Sequence, residues 1–199
     1  MNEQEQAWRG EMGDAYTKRQ TLSLNARKAM FSRILASTRH PIKSVIEFGA
    51  NTGDNLRAIR SLLVGAHLTG VEVNNAAFLE LKKHADLAFH GSIIGFPSAG
   101  QWDLAFTRGL LIHIEPDKLE AAYQALYEAA RHYIMLAEYY NPSPVIAPYR
   151  DNTFLWKRDF AGEILDRYPD LQLVDYGFIY YRDRYAPQDS ITWFLMEKI

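Results

Sequence analysis

Ser44 to Asn55 reads SVIEFGANTGDN. An apolar β-branched pair, Val45 and Ile46, leads to an acid, Glu47. Gly49 and Gly53 follow at the spacing E-x-G-x-x-x-G, and a helical pattern opens near Asp54. Glycines at a strand-to-helix turn let bare backbone N–H groups approach a ligand closely. The acid at the strand tip accepts from an ammonium or a hydroxyl. A dinucleotide fingerprint needs G-x-G-x-x-G, and a phosphate-cradling loop needs Gly-Lys-Ser or Gly-Lys-Thr after the second glycine. Here Gly49 is followed by Ala50-Asn51-Thr52 and Gly53 by Asp54-Asn55, so neither fits. Asp54 at the loop mouth is also a poor neighbour for pyrophosphate. What remains is a specialised ligand turn or an ordinary strand-to-helix turn.

The next apolar run narrows the choice. His67 to Val73, HLTGVEV, ends at Glu72, and Asn74-Asn75 then open a new helix. Ligands of doubly wound sheets sit beyond the carboxyl ends of the strands. A carboxylate at the tip of a second strand therefore faces vicinal ribose hydroxyls, or is simply a solvated strand end. The separation of Glu47 from Glu72 fits one βαβ unit of about 30 residues.

Two such acids around a glycine turn resemble the cofactor site of class I S-adenosylmethionine-dependent methyltransferases. Many of those enzymes carry glycine where Asn51 stands, and Asn tolerates the left-handed conformation better than other non-glycine residues. The resemblance implies that Glu47, Phe48, Gly49, Asn51, Gly53 and Asn55 hold the amino-acid end of S-adenosyl-L-methionine. It implies Glu72, Val73 and Asn74 for the ribose, and Gly91-Ser92 for the adenine unless they form a simple turn. Arg108-Gly109 would pass beneath the methionine part. At the N-terminus, QAWRGEMGDAYTKRQ spaces Trp8, Gly10, Gly13, Tyr16 and Arg19 too regularly for a solvated tail. It reads as a lid whose Tyr16 and Arg19 meet the cofactor carboxylate, or as a helix packed by its aromatics.

Composition fits one domain spanning 1–199, with 1–40 as lid and first helix and 139–158 as an acceptor-side insertion. The 199 residues are 48% hydrophobic, carry a net charge of −2 and include no cysteine. Disulfides and thiolate metal sites are excluded, and a cytoplasmic address is expected. The N-terminus is polar and mixed in charge, unlike a secretory signal. No run is long and apolar enough to span a bilayer. The basic residues are dispersed, which argues against a nucleic-acid partner. Six scattered histidines form no metal-ligand pair at helical spacing, so no metal is expected.

The alternating pattern predicts an α/β fold with a Rossmann-like, doubly wound, mainly parallel seven-stranded sheet. Apolar stripes predict helices over 25–38, 54–63, 75–85, 116–130 and 159–168. Strands are expected at 44–48, 67–73, 87–90, 102–107, 133–138, 171–180 and 191–197. The last two are joined by a segment too short for a helical crossover, so they close the sheet as an antiparallel hairpin. The stretch YYNPSPVIAPYRDNTFLWK, from Tyr139 to Lys157, reads as irregular, stiffened by Pro142, Pro144 and Pro148.

Across nearly the whole chain, WRGEMGDAYTKR, IEFGANTGDNL, LTGVEVN, LLIHIEPDKL, AEYYNPSPVIAPYR and KRDFAGEILDRYPDLQLVDYGF resemble the methylases associated with pseudaminic acid biosynthesis. That resemblance implies a sugar or nucleotide-sugar acceptor of nonulosonic acid formation. In the 139–158 insertion, Tyr139, Tyr140, Asn141 and Tyr149 supply aromatic faces and polar groups for a sugar. Arg150, Lys157 and Arg158 are placed to pair with a carboxylate or phosphate. Methyl transfer to an alcohol or ammonium also needs a proton acceptor. Candidates are Glu138, His113 and Asp151. Glu138 is equally a structural carboxylate bonded to loop amides, and His113 equally a histidine satisfied by a helix start. Two other classes remain beside the small-molecule enzyme: a methyltransferase of a protein or lipid, and a non-catalytic cofactor-binding partner.

Overall fold

The structure, a computed structural model, describes residues 3–19, 23–97, 100–149 and 154–199. Three helices precede the sheet: α1 (Glu3–Arg9), α2 (Glu11–Arg19) and α3 (Leu24–Ala36). Ser23 caps α3 by accepting from the Ala26 amide. The strands β1 (Ser44–Phe48), β2 (His67–Glu72), β3 (Leu87–His90), β4 (Trp102–Arg108) and β5 (Ala130–Glu138) pair in parallel. Helices α4 (Asp54–Leu62), α5 (Asn75–Leu81) and α6 (Leu119–Ala129) connect them.

After α7 (Phe160–Arg167), β8 (Leu171–Ile179) and β9 (Ile191–Lys198) complete the sheet in the order β3-β2-β1-β4-β5-β9-β8. β9 lies antiparallel between β5 and β8. This is the expected seven-stranded sheet with its terminal hairpin. Chain order reverses at β1, which lies between β2 and β4. A crevice opens beyond the carboxyl ends of the strands at such a switch point.

The strands are apolar on both faces because helices cover both. On one face Val45, Leu68, Leu104 and Leu195 meet Phe31 and Ile34 of α3, Leu56 and Ile59 of α4, and Leu81 of α5. On the other, Ile46, Ala105, Ile134 and Met196 meet Leu126 of α6 and Ile164 of α7. Gly70 sets the spacing of the first layer, because a Cβ there would meet the Leu81 side chain at 2.8 Å. At the far end of the sheet Asp103 fixes the entry to β1, accepting from the amides of Lys43 and Ser44.

One expectation needs correction. The stretch after β5 is not irregular: β6 (Val145–Pro148) and β7 (Phe154–Lys157) pair antiparallel as a small separate hairpin. The prolines obscured it. Pro142 and Pro144 precede the strand, and Pro148 ends it opposite Phe154. A missing N–H is tolerated at the end of a two-stranded ribbon. The hairpin then packs against the turn at Leu111–His113.

Overpacking at β2 gives a direct test. Gly70→Ala should lower stability by about 1–3 kcal/mol. Gly91→Ala, where no heavy atom lies within 4 Å of the added Cβ, should be nearly neutral. Equal urea midpoints for the two variants would contradict this packing.

Candidate active site

The loop after β1 has the backbone its sequence requires. Gly49, Asn51 and Gly53 all have positive φ, at 72°, 47° and 83°. Asn51 therefore takes the left-handed conformation that asparagine tolerates. The Gly49 and Ala50 amides donate to the Val71 carbonyl, and the Asn51 amide donates to Glu72 Oε2 at 2.7 Å. Glu72 Oε1 accepts from the Asn74 amide at 2.8 Å. One carboxylate thus ties the loops after β1 and β2 together. Burial pushes its pKa up, against the pull of those amides.

These loops form the floor of a cleft of about 1140 Å³, its open mouth included. Gly49, Asn51, Asn55, Glu72, Val73, Asn74, Gly91, Ser92, Arg108 and Gly109 line it, together with Tyr16 and His113. Twelve of the expected residues, from six separate stretches of the chain, therefore meet in one place. Phe48 and Gly53 lie behind the wall. Phe48 is fully buried and edge-on to Phe96, and Gly53 starts α4 against Leu81.

Glu47 is also behind the wall, fully buried. Its Oε1 accepts from Asn55 Nδ2 at 2.6 Å, and Asn55 Oδ1 in turn accepts from Arg27 Nη1. Its Oε2 is buried and has no hydrogen-bond partner among the described residues. Burial raises the Glu47 pKa to about 8, despite the Asn55 hydrogen bond and the nearby Arg27 and Arg108. Arg108 repeats the pattern: Nη2 donates to Gln188 at 3.3 Å, while its buried Nε lacks a partner. A half-satisfied buried acid beside two guanidiniums leaves a hydrogen bond that the described residues do not complete.

The N-terminal helices cover this end of the cleft. Glu5, Trp8, Gly13, Tyr16 and Thr17 line it from above. Thr17 Oγ1 donates to Asn51 Oδ1 at 2.9 Å, Gln4 Nε2 to the His113 carbonyl at 2.8 Å, and Asn74 Nδ2 to Asp14 at 2.8 Å. A Cβ on Gly13 would meet the Trp8 carbonyl and Asn74, so only glycine allows this seat. Trp8 packs edge-on to Tyr16 at 5.2 Å and to His113 at 4.4 Å, and His113 stands 5.4 Å from Tyr149.

Several expected contacts are not made. Arg19 falls in the exposed last turn of α2 and does not line the cleft. Arg27 lines the cleft instead, a residue that sequence reasoning passed over. Its signal was a charge on the apolar stripe of α3, in line with Met30, Phe31 and Ile34. Glu138 is not placed as a base. Its Oε1 accepts from Thr107 Oγ1 and from the amides of Leu110 and Leu111, and Oε2 accepts from Ile112. It pins the turn after β4, its pKa pushed to about 7 by burial against those donors. His113 lines the cleft, but burial depresses its pKa to about 3, leaving a neutral, weakly basic ring.

On the acceptor side, Arg158 is tied to Glu163 at 2.6 Å. Lys157 stands over the Tyr139 ring at 5.5 Å. Asn141 bonds the Ser143 carbonyl, and Tyr140 turns outward to Phe194. None of these lines the cleft, and Tyr149 reaches it only through His113. Arg150 and Asp151 lie outside the described residues. No group of three or more His, Cys, Asp or Glu among the described residues forms a metal site. No helix among them is long and apolar enough to cross a membrane.

No protein-family model and no curated protein matches the chain. Solved structures do. The magnesium protoporphyrin IX methyltransferase of Synechocystis PCC 6803 with bound S-adenosylmethionine superimposes with a TM-score of 0.71 at 11% identity, covering 100% of this chain and 99% of that one. The 1,6-didemethyltoxoflavin-N1-methyltransferase of Burkholderia thailandensis gives 0.67 at 14% identity, over 96% and 84%. An amino pentose methyltransferase of Micromonospora echinaspora, involved in calicheamicin biosynthesis, gives 0.66 at 11%, over 96% and 98%. The fold is that of the class I methyltransferases.

Two outcomes follow from the buried acids. Glu138→Ala leaves a hydroxyl and three amides without their acceptor and should cost about 2–4 kcal/mol of stability, read by urea unfolding. A loss under 1 kcal/mol would show that the carboxylate does not pin the turn. Glu47 has a folded pKa above its unfolded one, so its contribution is full below about 4.5 and is lost as pH rises through about 8. His113 acts in the opposite sense, its folded value lying below its unfolded one. The difference between wild type and Glu47→Gln should therefore shift against wild type from pH 5 to 8.5. A pH-independent difference would contradict the assignment.

Proposed function

We propose that this chain is an S-adenosylmethionine-dependent methyltransferase acting on a small sugar-related acceptor, a sugar or nucleotide sugar. The observation that carries this reading is the pair of strand-tip acids: Glu72 in the cleft wall, and Glu47 with one buried oxygen unpartnered. An amino-acid zwitterion complements that end, its carboxylate facing Arg108 and Arg27 and its ammonium facing Asn55, which Glu47 backs from behind the wall. Vicinal ribose hydroxyls complement Glu72, whose amide-bonded oxygens keep further lone pairs. Gly91 and Ser92, with the apolar Ile93 and Ile94, suit a flat base. When bound, S-adenosylmethionine supplies an electrophilic methyl group on a sulfonium.

The chain's own contribution is alignment. The cover formed by α1 and α2 narrows the cleft, which favours a small acceptor over a protein or lipid and excludes water from the reacting atoms. Glu138 is held by four donors and His113 is a weak base, so neither suits removal of an alcohol proton. A neutral amine attacks before it loses its proton, and this favours N-methylation. The toxoflavin N1-methyltransferase among the structural neighbours is in keeping with that choice. The resemblance of the segments after β5 supports an acceptor from nonulosonic acid formation.

Titration calorimetry with S-adenosylmethionine or its demethylated product tests the site. Glu72→Ala should weaken binding by about tenfold to 100-fold. Arg19→Ala should leave it unchanged. Absence of binding by the wild type would end the reading, and an unaffected Glu72→Ala would remove the acid from the site. Mass analysis of amino-sugar and nucleotide-sugar candidates for an added methyl group then identifies the acceptor.

A further inference from the structure

The sheet face beside α7 is incompletely covered. Cross-strand rows run Ile134–Met196–Leu173, Leu136–Phe194–Tyr176 and Glu138–Thr192–Phe178. The eight-residue α7 buries Phe160, Ala161 and Ile164 against Met196 and Leu171. Toward the cleft end of β8, Tyr176 is 66%, Phe178 57%, Tyr180 47% and Tyr181 56% exposed, and Tyr185 in the following loop is 88% exposed. Tyr140, 43% exposed, joins them through Phe194. At roughly 150–250 Å² per aromatic side chain, these fractions leave on the order of 500–900 Å² of aromatic surface bare. The largest apolar patch of an ordinary monomer is about 300–600 Å².

We propose that this face is where a second copy of the chain docks, forming a two-fold dimer. The area is comparable with the roughly 800 Å² that each partner contributes to a standard interface. Composition agrees: from Leu171 to Tyr185 there is no Lys and no Glu, while Tyr, Phe and Arg make up seven of the fifteen residues. Of the two acids in the stretch, Asp175 is partly covered and Asp183 is exposed but engaged by its own turn. Asp175 accepts from Ser37 and from the Tyr176 amide, and Asp183 accepts from the amides of Tyr185 and Ala186. Rings and guanidiniums face outward around the exposed Asp183, with Arg182 at 5.6 Å from the Tyr181 centroid and Arg184 at 5.8 Å from that of Tyr185.

Such a surface is self-complementary, because each copy offers both cations and the aromatic faces that receive them. The contact uses the face of β8 and not its edge. A bulge between Leu173 and Asp175, and the Tyr176 amide taken by Asp175, oppose strand addition. The loop that follows β8 also reaches the cleft, since Gln188 bonds Arg108 and the Ala26 carbonyl. A seated partner would steady that loop. This inference does not depend on the methyltransferase reading.

Sedimentation velocity of the full chain over about 1–200 µM tests it. The expected result is twice the chain mass for wild type, and a dimer weakened about 100-fold or more by Tyr176→Arg with Phe178→Asp. Helical content and binding of S-adenosylmethionine or its demethylated product should match wild type. Tyr185→Glu, in the exposed loop, gives a second and milder disruption if the double variant does not fold. Wild type at the chain mass throughout overturns the proposal, as does a dimer that both sets of substitutions leave intact.

Discussion

One carboxylate organises the cleft. Glu72 accepts an amide from the loop after β1 and another from the loop after β2, so two segments distant in sequence share one buried anion. The left-handed turn at Asn51 is held by this bond. So is Asn74, whose side chain caps α5 with its oxygen and receives the N-terminal helices with its nitrogen. Without that anion, an unpaired amide would remain in each loop and the seat of α1 and α2 would lose its footing. Floor and cover of the cleft therefore depend on the same interaction.

Glu47 and Glu138 are chemically alike and both fully enclosed, yet their surroundings give them different work. Glu138 sits among four donors, and a group so thoroughly bonded serves structure by fixing the turn at Leu111–His113. Glu47 has one donor, two guanidiniums in range and one oxygen without a partner. Burying such a group is costly unless something else completes its shell. The number of unmet hydrogen bonds, and not burial itself, separates these two acids. Arg108 follows the same rule among the cations.

The chain leaves apolar surface where the fold stops covering it. A short α7 protects one half of the outer strands, and aromatic side chains occupy the other. A sheet face must be buried against something. Asp175 is drawn back to Ser37, which takes its charge off this face.

Much of this was legible from residue pattern alone. The succession of strands and helices, the glycine turn, the left-handed Asn51 and the acid at the tip of β2 follow from local steric rules and from the short reach of a βαβ unit, both of which operate over a few residues. The closing hairpin was legible because no helix fits between β8 and β9. The hairpin of β6 and β7 was hidden, because proline reads as a breaker unless one knows it stands at a strand end. Tertiary structure alone decided that Glu138 is tied down, that Arg27 reaches the cleft in place of Arg19, and that Arg158 belongs to Glu163. Those outcomes depend on which donors lie within 3 Å or so of a side chain, and that is set by elements tens of residues away. Sequence periodicity fixes the direction a residue faces within its own helix or strand; only packing fixes what it meets there.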